Sequence, residues 1–292
     1  MARQKQELGL NLSASDLRDL YDEDYWLHDE APDNWRVFSI SRGRVLLPNR
    51  LWALGQARLR PGMRVLDVGC GRGELAMFCG AAGVDAFGVD FSDVAMNLGQ
   101  ECLGFFSESE RDRIHMDLWD AGRRLPFQDA FFDRVMTWAV LEHLEVSQRK
   151  HLFAEICRVL KPEGITIHGT CPNRWRWKLS QAADRCLRRR EPDSRYAPLH
   201  VAVMSPLQLK HELEQAGFHT HVWVEAGPSL GNLKGQTIAA LSRMPALKWV
   251  FAWHVMGIGA KSPQSLKAFR NLEPIPPPWE KWAVQLAARR TP

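Results

Sequence analysis

The sequence has 292 residues, of which 45% are hydrophobic and 25% charged, a composition typical of a globular protein with a substantial core. Its formal net charge of +4 at pH 7 is too small to require a nucleic-acid partner, although it does not exclude one. The amino-terminal residues lack the apolar region of a secretory signal, and the longest apolar run, 250–260, is too short and too polar to cross a bilayer, so we expect a cytoplasmic protein.

The first half of the chain alternates short apolar runs with helical patterns. Apolar residues recur at helical spacing over 45–59 and stop at Pro61-Gly62. The sequence then predicts strand 64–68, a helix from Glu74 to 80–83, strand 84–90, helix 92–103, strand 113–116 and a strand within 131–140. This alternation is typical of a parallel sheet covered by helices on both faces.

The second half continues the pattern, and one of its helices has clear end signals. Ser205 is placed as an N-cap, Pro206 occupies the first helical position, Gln208 completes a capping box, and Gly217 ends the helix. The other predicted elements are helix 147–160, a turn at 161–164, strand 165–170, strand 219–226 and strand 250–258.

A glycine-rich loop lies in RVLDVGCGRGELA, residues 64–76, between the first strand and its helix. Gly69, Gly71 and Gly73 let the chain turn tightly and let a ligand touch the backbone. The following helix offers free N–H groups at its positive end. Asp90 ends the next strand, 21 residues after Gly69, where a carboxylate typically binds the two hydroxyls of a ribose.

Two adenosine-containing cofactors fit such a loop. A dinucleotide site expects a third glycine at position 74, where this chain has Glu74, a poor neighbour for a pyrophosphate. Asp67 and the glycine turn suit S-adenosylmethionine, a cationic and zwitterionic ligand, better than they suit a dinucleotide. The alternative without a ligand is a tight strand-to-helix turn.

Five segments, in order, resemble the motifs of the class I S-adenosylmethionine-dependent methyltransferases, in particular the small-molecule branch that includes the ubiquinone-biosynthesis (type 11) enzymes. They are VLDVGCGRG at 65–73, GVDFS at 88–92, MDLWD at 116–120, LPFQDAFFDRVMTWAVLEHL at 125–144 and RVLKPEGITIHGTCPN at 158–173. The resemblance covers about residues 60–225. It implies an α/β fold: a Rossmann-like, doubly wound seven-stranded sheet, parallel except for one reversed strand near the edge, with helices on both faces.

The resemblance implies S-adenosylmethionine as the cofactor. In this family pattern Asp90 would bind the ribose, Asp117 would accept from the adenine amino group and Leu118 would pack beside the ring. The predicted cofactor contacts are Asp67, Gly69, Cys70, Gly71, Asp90, Phe91, Asp117, Leu118 and Trp138.

The resemblance also suggests three regions, with residues that would close the site. They are an N-terminal helical cap over the cofactor (1–60), a methyltransferase domain (61–263) with a basic Trp/Arg insertion at 174–204, and a Pro/Trp-containing arm (264–292), extended or disordered. Tyr21, Tyr25 and Trp26 would wall the acceptor, unless they only pack the first helix on the sheet. Arg42, Arg44 or Arg50 would hold the methionine carboxylate.

Departures from related patterns narrow the chemistry. One metal-dependent branch has an acidic residue where this chain has Ala139, and six scattered cysteines without a CxxC pair argue against zinc, so we expect no metal site. Residues 137–140, TWAV, do not match the Pro-Pro-aromatic motif of adenine-N6 enzymes. Cys171-Pro172 reverses the Pro-Cys order of cytosine-C5 enzymes and lies on another strand.

A small-molecule acceptor is the predicted substrate, with oxygen slightly favoured over nitrogen or carbon. A hydroxyl acceptor must lose a proton, so we sought a histidine as general base. His200, four residues after Tyr196 in the segment where this branch builds its acceptor pocket, is slightly preferred. His143 is the second candidate, although support of the neighbouring helix is its favoured role. His168 is expected in the core.

The insertion RWRWKLSQAADRCLRRR, 174–190, is expected to be a solvated helical face, with an anionic lipid or membrane surface as the second interpretation. A nucleic-acid partner is disfavoured. Two rival functions stay open, namely an RNA methyltransferase that uses this insertion and a non-catalytic S-adenosylmethionine-binding protein.

Overall fold

The computed structural model describes residues 20–29, 32–186, 202–225 and 240–272. Seven strands in these ranges form one sheet of order β3-β2-β1-β4-β5-β7-β6. They are β1 (Arg64–Val68), β2 (Asp85–Asp90), β3 (Ile114–Leu118), β4 (Phe132–Trp138), β5 (Leu160–Thr170), β6 (His219–Glu225) and β7 (His254–Ala260). All pairs among β1 to β5 are parallel, whereas β7 is antiparallel to β5 and β6. The predicted fold class is confirmed, with β7 as the reversed strand next to the edge.

The helices connect the strands and cover the sheet. They are α1 (Pro32–Ser41), α2 (Pro48–Ala57), α3 (Glu74–Ala81), α4 (Asp93–Leu103), α5 (Glu108–Arg111), α6 (Val146–Val159), α7 (Arg174–Cys186), α8 (Pro206–Gln215), α9 (Lys248–Phe251) and α10 (Pro263–Asn271), with a π-helix at Tyr25–Asp29 and a 3-10 turn at Leu141–His143. Every helix in the described residues is too short or too polar to span a membrane.

Each face of the sheet carries its own apolar cluster, because side chains alternate along a strand. Val65 and Met136 pack with helices α1 to α4 and α10. Leu66 and Val135 pack with α6 and α8 on the opposite face. Helices therefore cover both faces, as predicted.

The end signals of α8 are confirmed. The Ser205 hydroxyl accepts from the backbone N–H of Gln208 at 3.2 Å, and the Gln208 amide oxygen lies 3.5 Å from the backbone nitrogen of Ser205. Pro206 is the first helical residue, and Gly217 follows the helix with a φ of 92°. These capping interactions are local, so the sequence is sufficient to predict them.

The last strand begins later than predicted. The expected strand 250–258 is wrong at its start, because residues Lys248–Phe251 form the short helix α9 and β7 runs over His254–Ala260. Pairing with β6 decides this boundary: Trp253 donates its N–H to the carbonyl of Glu225, the last residue of β6. Residues Lys248–Phe251 are held in α9, so β7 starts only after them.

Residues 161–164, predicted as a turn, lie inside β5 as a bulge. Leu160 pairs with Phe132 and Ile165 pairs with Arg134, so four residues of β5 stand opposite Asp133 alone. Lys161 donates to the Asp133 carboxylate at 2.8 Å and thereby closes the bulge. The turn residues are thus accommodated without ending the strand.

The predicted carboxyl-terminal arm begins with a helix. Residues Pro263–Asn271 form α10, whose Phe269 is buried in the first apolar cluster. The Ser262 hydroxyl caps this helix by accepting from the N–H of Ser265 at 3.0 Å. Ser262-Pro263 repeats the Ser-Pro signal that begins α8, so this helix was detectable from sequence. The rest of the predicted arm, 273–292, lies outside the described residues.

Candidate functional site

The glycine loop joins β1 to α3 in a conformation that only glycine adopts without strain. Gly69 and Gly71 have φ values of 75° and 57°. A Cβ on Gly69 would lie 2.3 Å from the Val140 side chain, and one on Gly71 would lie 3.0 Å from the Trp26 ring. The N–H groups of Gly69 and Cys70 both donate to the carbonyl of Val89, which fixes the loop against β2.

Asp90, at the end of β2, is tied to this loop. One oxygen of its carboxylate accepts from the N–H of Gly71 at 2.8 Å, and the other accepts from the N–H of Ser92 at 2.9 Å. The side chain is buried. Its two oxygens are therefore held in a fixed orientation beside the loop.

Beside Asp90 an apolar platform faces solvent. Phe91 is 36% exposed and Leu118 is 59% exposed, unusual values for such large apolar side chains. Strand register sets Leu118 opposite Asp90, and Asp117, also exposed, opposite Val89. The predicted cofactor contacts Phe91, Asp117 and Leu118 thus lie together at the carboxyl edge of β2 and β3.

Asp67 lies near the end of β1 in a different environment. Its side chain is 5% exposed, and its carboxylate accepts no hydrogen bond from the described residues. Burial raises the pKa of Asp67 to about 7, although the Arg50 guanidinium opposes this shift. A buried carboxylate without a donor is well suited to bind a cationic group of a ligand.

Cys70 contributes to the loop through its backbone. Its side chain is buried and packs so closely on Gly88 that a Cβ there would lie 2.8 Å from the sulfur. Burial raises the pKa of the Cys70 thiol, so the group is a neutral packing element.

Glu74 does not obstruct the start of α3, because two arginines hold its carboxylate. Arg50 donates to one oxygen at 2.7 Å, and Arg72 donates to the other at 2.7 and 3.0 Å. Although burial opposes it, these guanidinium groups lower the pKa of Glu74. Of the arginines predicted to hold the methionine carboxylate, Arg50 reaches the loop through its bond to Glu74. Arg44 instead pairs with Glu110 of α5 at 2.9 Å.

The aromatic residues of the amino-terminal segment lie over the loop. The Tyr21 ring centroid is 5.0 Å from that of Phe91 and 6.2 Å from that of His143. Trp26 is buried against Gly71 and donates its indole N–H to the Ser92 hydroxyl at 3.0 Å. Burial and the Asp90 and Glu142 carboxylates raise the pKa of Tyr21 far above its usual range.

Of the two candidate bases, His143 is in the described residues and His200, like Tyr196, lies outside them. His143 ends the 3-10 turn after β4, half-buried beside Tyr21. His168 is in the core, as expected, between the hydroxyls of Thr137 and Thr166 at 2.9 Å each.

Trp138 lies away from the glycine loop in its described contacts. Its ring packs between Trp52 and His254, with centroid separations of 6.2 and 5.5 Å, on the face covered by α2. The residue that touches Gly69 is Val140, two positions later. The turn after β4, in which Ala139 has a φ of 55°, decides which side chain reaches the loop, and the motif alone did not reveal it.

Sequence reasoning also missed Glu142. This completely buried carboxylate accepts from the Thr170 hydroxyl at 2.7 Å and from the N–H of Cys171 at 3.2 Å, joining the ends of β4 and β5. The sequence signal that could have identified it is a charged residue within the apolar segment AVLEHL, 139–144, because a buried charge needs partners.

The basic insertion begins with α7, where two arginines point to the body of the protein. Arg174 donates to Gln208 at 2.8 Å, and the Arg176 guanidinium lies 4.5 Å from the Trp253 ring centroid. Lys178 and Leu179 are exposed. No group of three or more His, Cys, Asp or Glu side chains in the described ranges is arranged to hold a metal ion.

Comparison with known families matches residues 65–164 to a methyltransferase domain. Among curated proteins, the ubiquinone/menaquinone biosynthesis C-methyltransferase UbiE of Bordetella avium is 34% identical over 125 residues, which is 40% of this chain and 45% of that protein. Methyltransferase GfsG of Streptomyces halstedii is 34% identical over 116 residues, 37% of this chain and 40% of that protein. The chain thus spans about half the length, or less, of these relatives.

Solved structures share the fold at low sequence identity. Phosphoethanolamine N-methyltransferase 2 of Haemonchus contortus superposes with a TM-score of 0.57 at 15% identity, covering 85% of this chain and 59% of that one. A SAM-dependent methyltransferase of Methanosarcina mazei gives 0.51 at 18% identity, covering 74% of this chain and 98% of that one. These structures share the fold of this chain, and residues 65–164 match a methyltransferase domain.

Proposed function

We propose that the protein transfers a methyl group from S-adenosylmethionine to a small-molecule acceptor. The observation that carries the proposal is Asp67, a buried carboxylate beside the glycine loop that accepts no hydrogen bond from the described residues. An ammonium group would supply the missing donors. A dinucleotide, which would bring a pyrophosphate to this position, has no such group to offer.

The residues around Asp67 fit the remainder of this cofactor. Asp90 would accept the two ribose hydroxyls, Phe91 and Leu118 would flank the adenine ring, and Asp117 would accept from its amino group. Gly69, Gly71 and the backbone of Cys70 would let the cofactor approach closely. When bound, S-adenosylmethionine supplies an electrophilic methyl group on a sulfonium, whose departure needs no acid.

The chain's own contribution to transfer is positioning and, for a hydroxyl acceptor, removal of a proton. His143 lies beside the amino-terminal cap, near Tyr21, and can accept a proton there. His200 is the alternative base that we propose from sequence. An oxygen acceptor is slightly favoured because a histidine is available for it.

Two features support a small-molecule acceptor. The curated relatives include an enzyme of quinone biosynthesis and, in Escherichia coli, a cyclopropane-fatty-acyl-phospholipid synthase that is 34% identical over 111 residues, 38% of this chain and 26% of that protein. The amino-terminal aromatic residues also pack over the loop, which favours a covered acceptor site within a cap formed by residues 1–60. A small acceptor covered in this way does not need the open groove that a nucleic acid would occupy.

The test is calorimetric titration of the purified protein with S-adenosylhomocysteine and, separately, with NADH. We expect binding of S-adenosylhomocysteine and none of NADH. Binding of NADH alone would contradict the proposal, and so would binding of neither. A labelled methyl donor then identifies acceptors, and loss of turnover with retained cofactor affinity in His143→Ala would assign the base.

Contact with an anionic lipid surface through 174–190 is a second candidate. Exposed Lys178 and Leu179 favour it, because a cation beside an apolar side chain suits a membrane interface. Cosedimentation with phosphatidylglycerol vesicles, compared with Lys178→Glu/Leu179→Ser, tests it. Equal binding by both proteins would exclude this surface.

A further inference from the structure

We infer that Arg72 is a positioning residue that holds the segment Tyr21–Trp26 across the glycine loop, so that this segment covers the bound cofactor. The inference rests on the proposed cofactor site but concerns residues outside the predicted contacts. Arg72 belongs to the loop itself, between Gly71 and Gly73.

The contacts of Arg72 bridge two distant parts of the chain. Its side chain is completely buried. One terminal nitrogen donates to the backbone carbonyl of Trp26 at 2.5 Å, and the rest of the guanidinium donates to Glu74. The guanidinium carbon also lies 5.7 Å from the Trp26 ring centroid and 5.0 Å from that of Phe38. A loop that only turned the chain would not need this burial.

The charge balance explains why the bridge is stable. Burial of a guanidinium is costly unless it is paired and its donors are used. Glu74 supplies the paired charge, and Arg50 shares the same carboxylate at 2.7 Å. Removing Arg72 therefore does not leave Glu74 without a cation, so the loss should act mainly on the amino-terminal segment.

The same segment reaches both halves of the cofactor site. The Trp26 ring covers Gly71, and its indole N–H donates to the hydroxyl of Ser92. Ser92 in turn donates its backbone N–H to Asp90, the proposed ribose ligand. Release of a cofactor held under this segment requires these contacts to open, so they should slow its dissociation.

The experiment uses the full chain and three variants: Arg72→Met, Trp26→Leu and the control Arg44→Met. Arg44 also forms a largely buried pair with a glutamate, at 2.9 Å from Glu110, but it has no described contact with the loop. Hydrogen–deuterium exchange of peptides covering 20–29 is measured without ligand, and stopped-flow dissociation of S-adenosylhomocysteine is measured separately.

We expect Arg72→Met and Trp26→Leu to increase deuterium uptake in 20–29 and to speed dissociation about tenfold, while Arg44→Met changes neither. The double variant Arg72→Met/Trp26→Leu should be no faster than the faster single variant, since both changes release the same segment. Should Arg72→Met not fold, Arg72→Lys replaces it, because Lys keeps a cation beside Glu74 but supplies one nitrogen where the guanidinium supplies three.

Unchanged uptake in 20–29, or dissociation as slow as in Arg44→Met, would overturn the inference. Failure of the wild-type protein to bind S-adenosylhomocysteine would instead overturn the proposed function, because the exchange measurement does not involve a cofactor.

Discussion

Two carboxylates near the ends of adjacent strands differ in how they are satisfied. Asp90 accepts two backbone hydrogen bonds, whereas Asp67 is buried and accepts none from the described residues. Burial raises the pKa of Asp67 to about 7. In the proposed site Asp67 therefore becomes a good ligand for a cation only when it is ionised.

Cofactor affinity should depend on the protonation of Asp67. As the pH rises from 6 to 8 through a pKa of about 7, the carboxylate becomes charged, and affinity for S-adenosylhomocysteine should rise roughly tenfold. Calorimetry across this range measures the effect. In Asp67→Asn the affinity should be low and nearly independent of pH, and a slope equal to that of the wild type would contradict the assignment.

Asp90→Ala should weaken S-adenosylhomocysteine binding by about tenfold or more, because a ribose diol would lose a charged acceptor. The change also frees the N–H groups of Gly71 and Ser92, so thermal unfolding must be measured in parallel. Asp117→Ala serves as the comparison, because Asp117 is exposed and its loss should affect a cofactor contact without disturbing the glycine loop. Wild-type affinity in a folded Asp90→Ala would remove Asp90 from the site.

At the scale of elements, the β4–β5 pair carries a polar core position. His168 of β5 lies in the buried face against Phe153 of α6, and the hydroxyls of Thr137 and Thr166 satisfy its two ring nitrogens. Burial lowers the pKa of His168 to about 3, so the ring remains neutral in the folded protein. The stability of the β4–β5 strand pair should consequently decrease in acid.

The unfolded chain binds a proton at His168 below pH 6.5, while the folded chain does not until about pH 3. Stability should therefore fall as the pH drops through this window, with a contribution of about 2 kcal/mol between pH 7 and pH 5. Urea unfolding at both values measures it. His168→Gln, which stays neutral, should lose this part of the difference; an unchanged difference would show that other groups are responsible.

At the scale of the whole molecule, each covered face contains a buried arginine–glutamate pair among its apolar side chains. Arg72 and Glu74 serve the face that bears the glycine loop. On the other face Arg149 of α6 makes two hydrogen bonds to Glu212 of α8, at 2.8 and 2.9 Å. This second pair joins two helices far apart in sequence, and Arg149 also donates to the backbone carbonyls of Leu144 at 2.7 Å and Leu141 at 3.5 Å.

Arg149→Met should lower the free energy of unfolding by roughly 3 kcal/mol, because Glu212 would remain buried without its cation. Arg149→Met/Glu212→Met should recover most of that loss, since an apolar pair carries no desolvation penalty. Urea unfolding of the three proteins forms the comparison. A double variant no more stable than the single one would show that the arginine acts through its bonds to backbone carbonyls.

Much of the architecture could be predicted because its signals are local. Alternating apolar strands, the Ser205 cap and the glycine loop depend on residues close in sequence, and each was found where expected. The reversed position of β7 came from the family resemblance, since strand order requires long-range pairing. The start of β7 differs from the prediction because Lys248–Phe251 form α9. The helix α10 was not predicted, although Ser262-Pro263 signals its start.

The sequence by itself determined the alternation of strands and helices and the positions of Asp67, Asp90 and the glycines, because backbone geometry and side-chain alternation are encoded by neighbouring residues. Only the tertiary structure decided which groups meet: Trp26 with Arg72, Val140 with Gly69, Glu142 with Thr170. It also decided the contrast between a satisfied Asp90 and an unsatisfied Asp67. The reason is physical, since burial and hydrogen bonding depend on residues that are remote along the chain and adjacent only after folding.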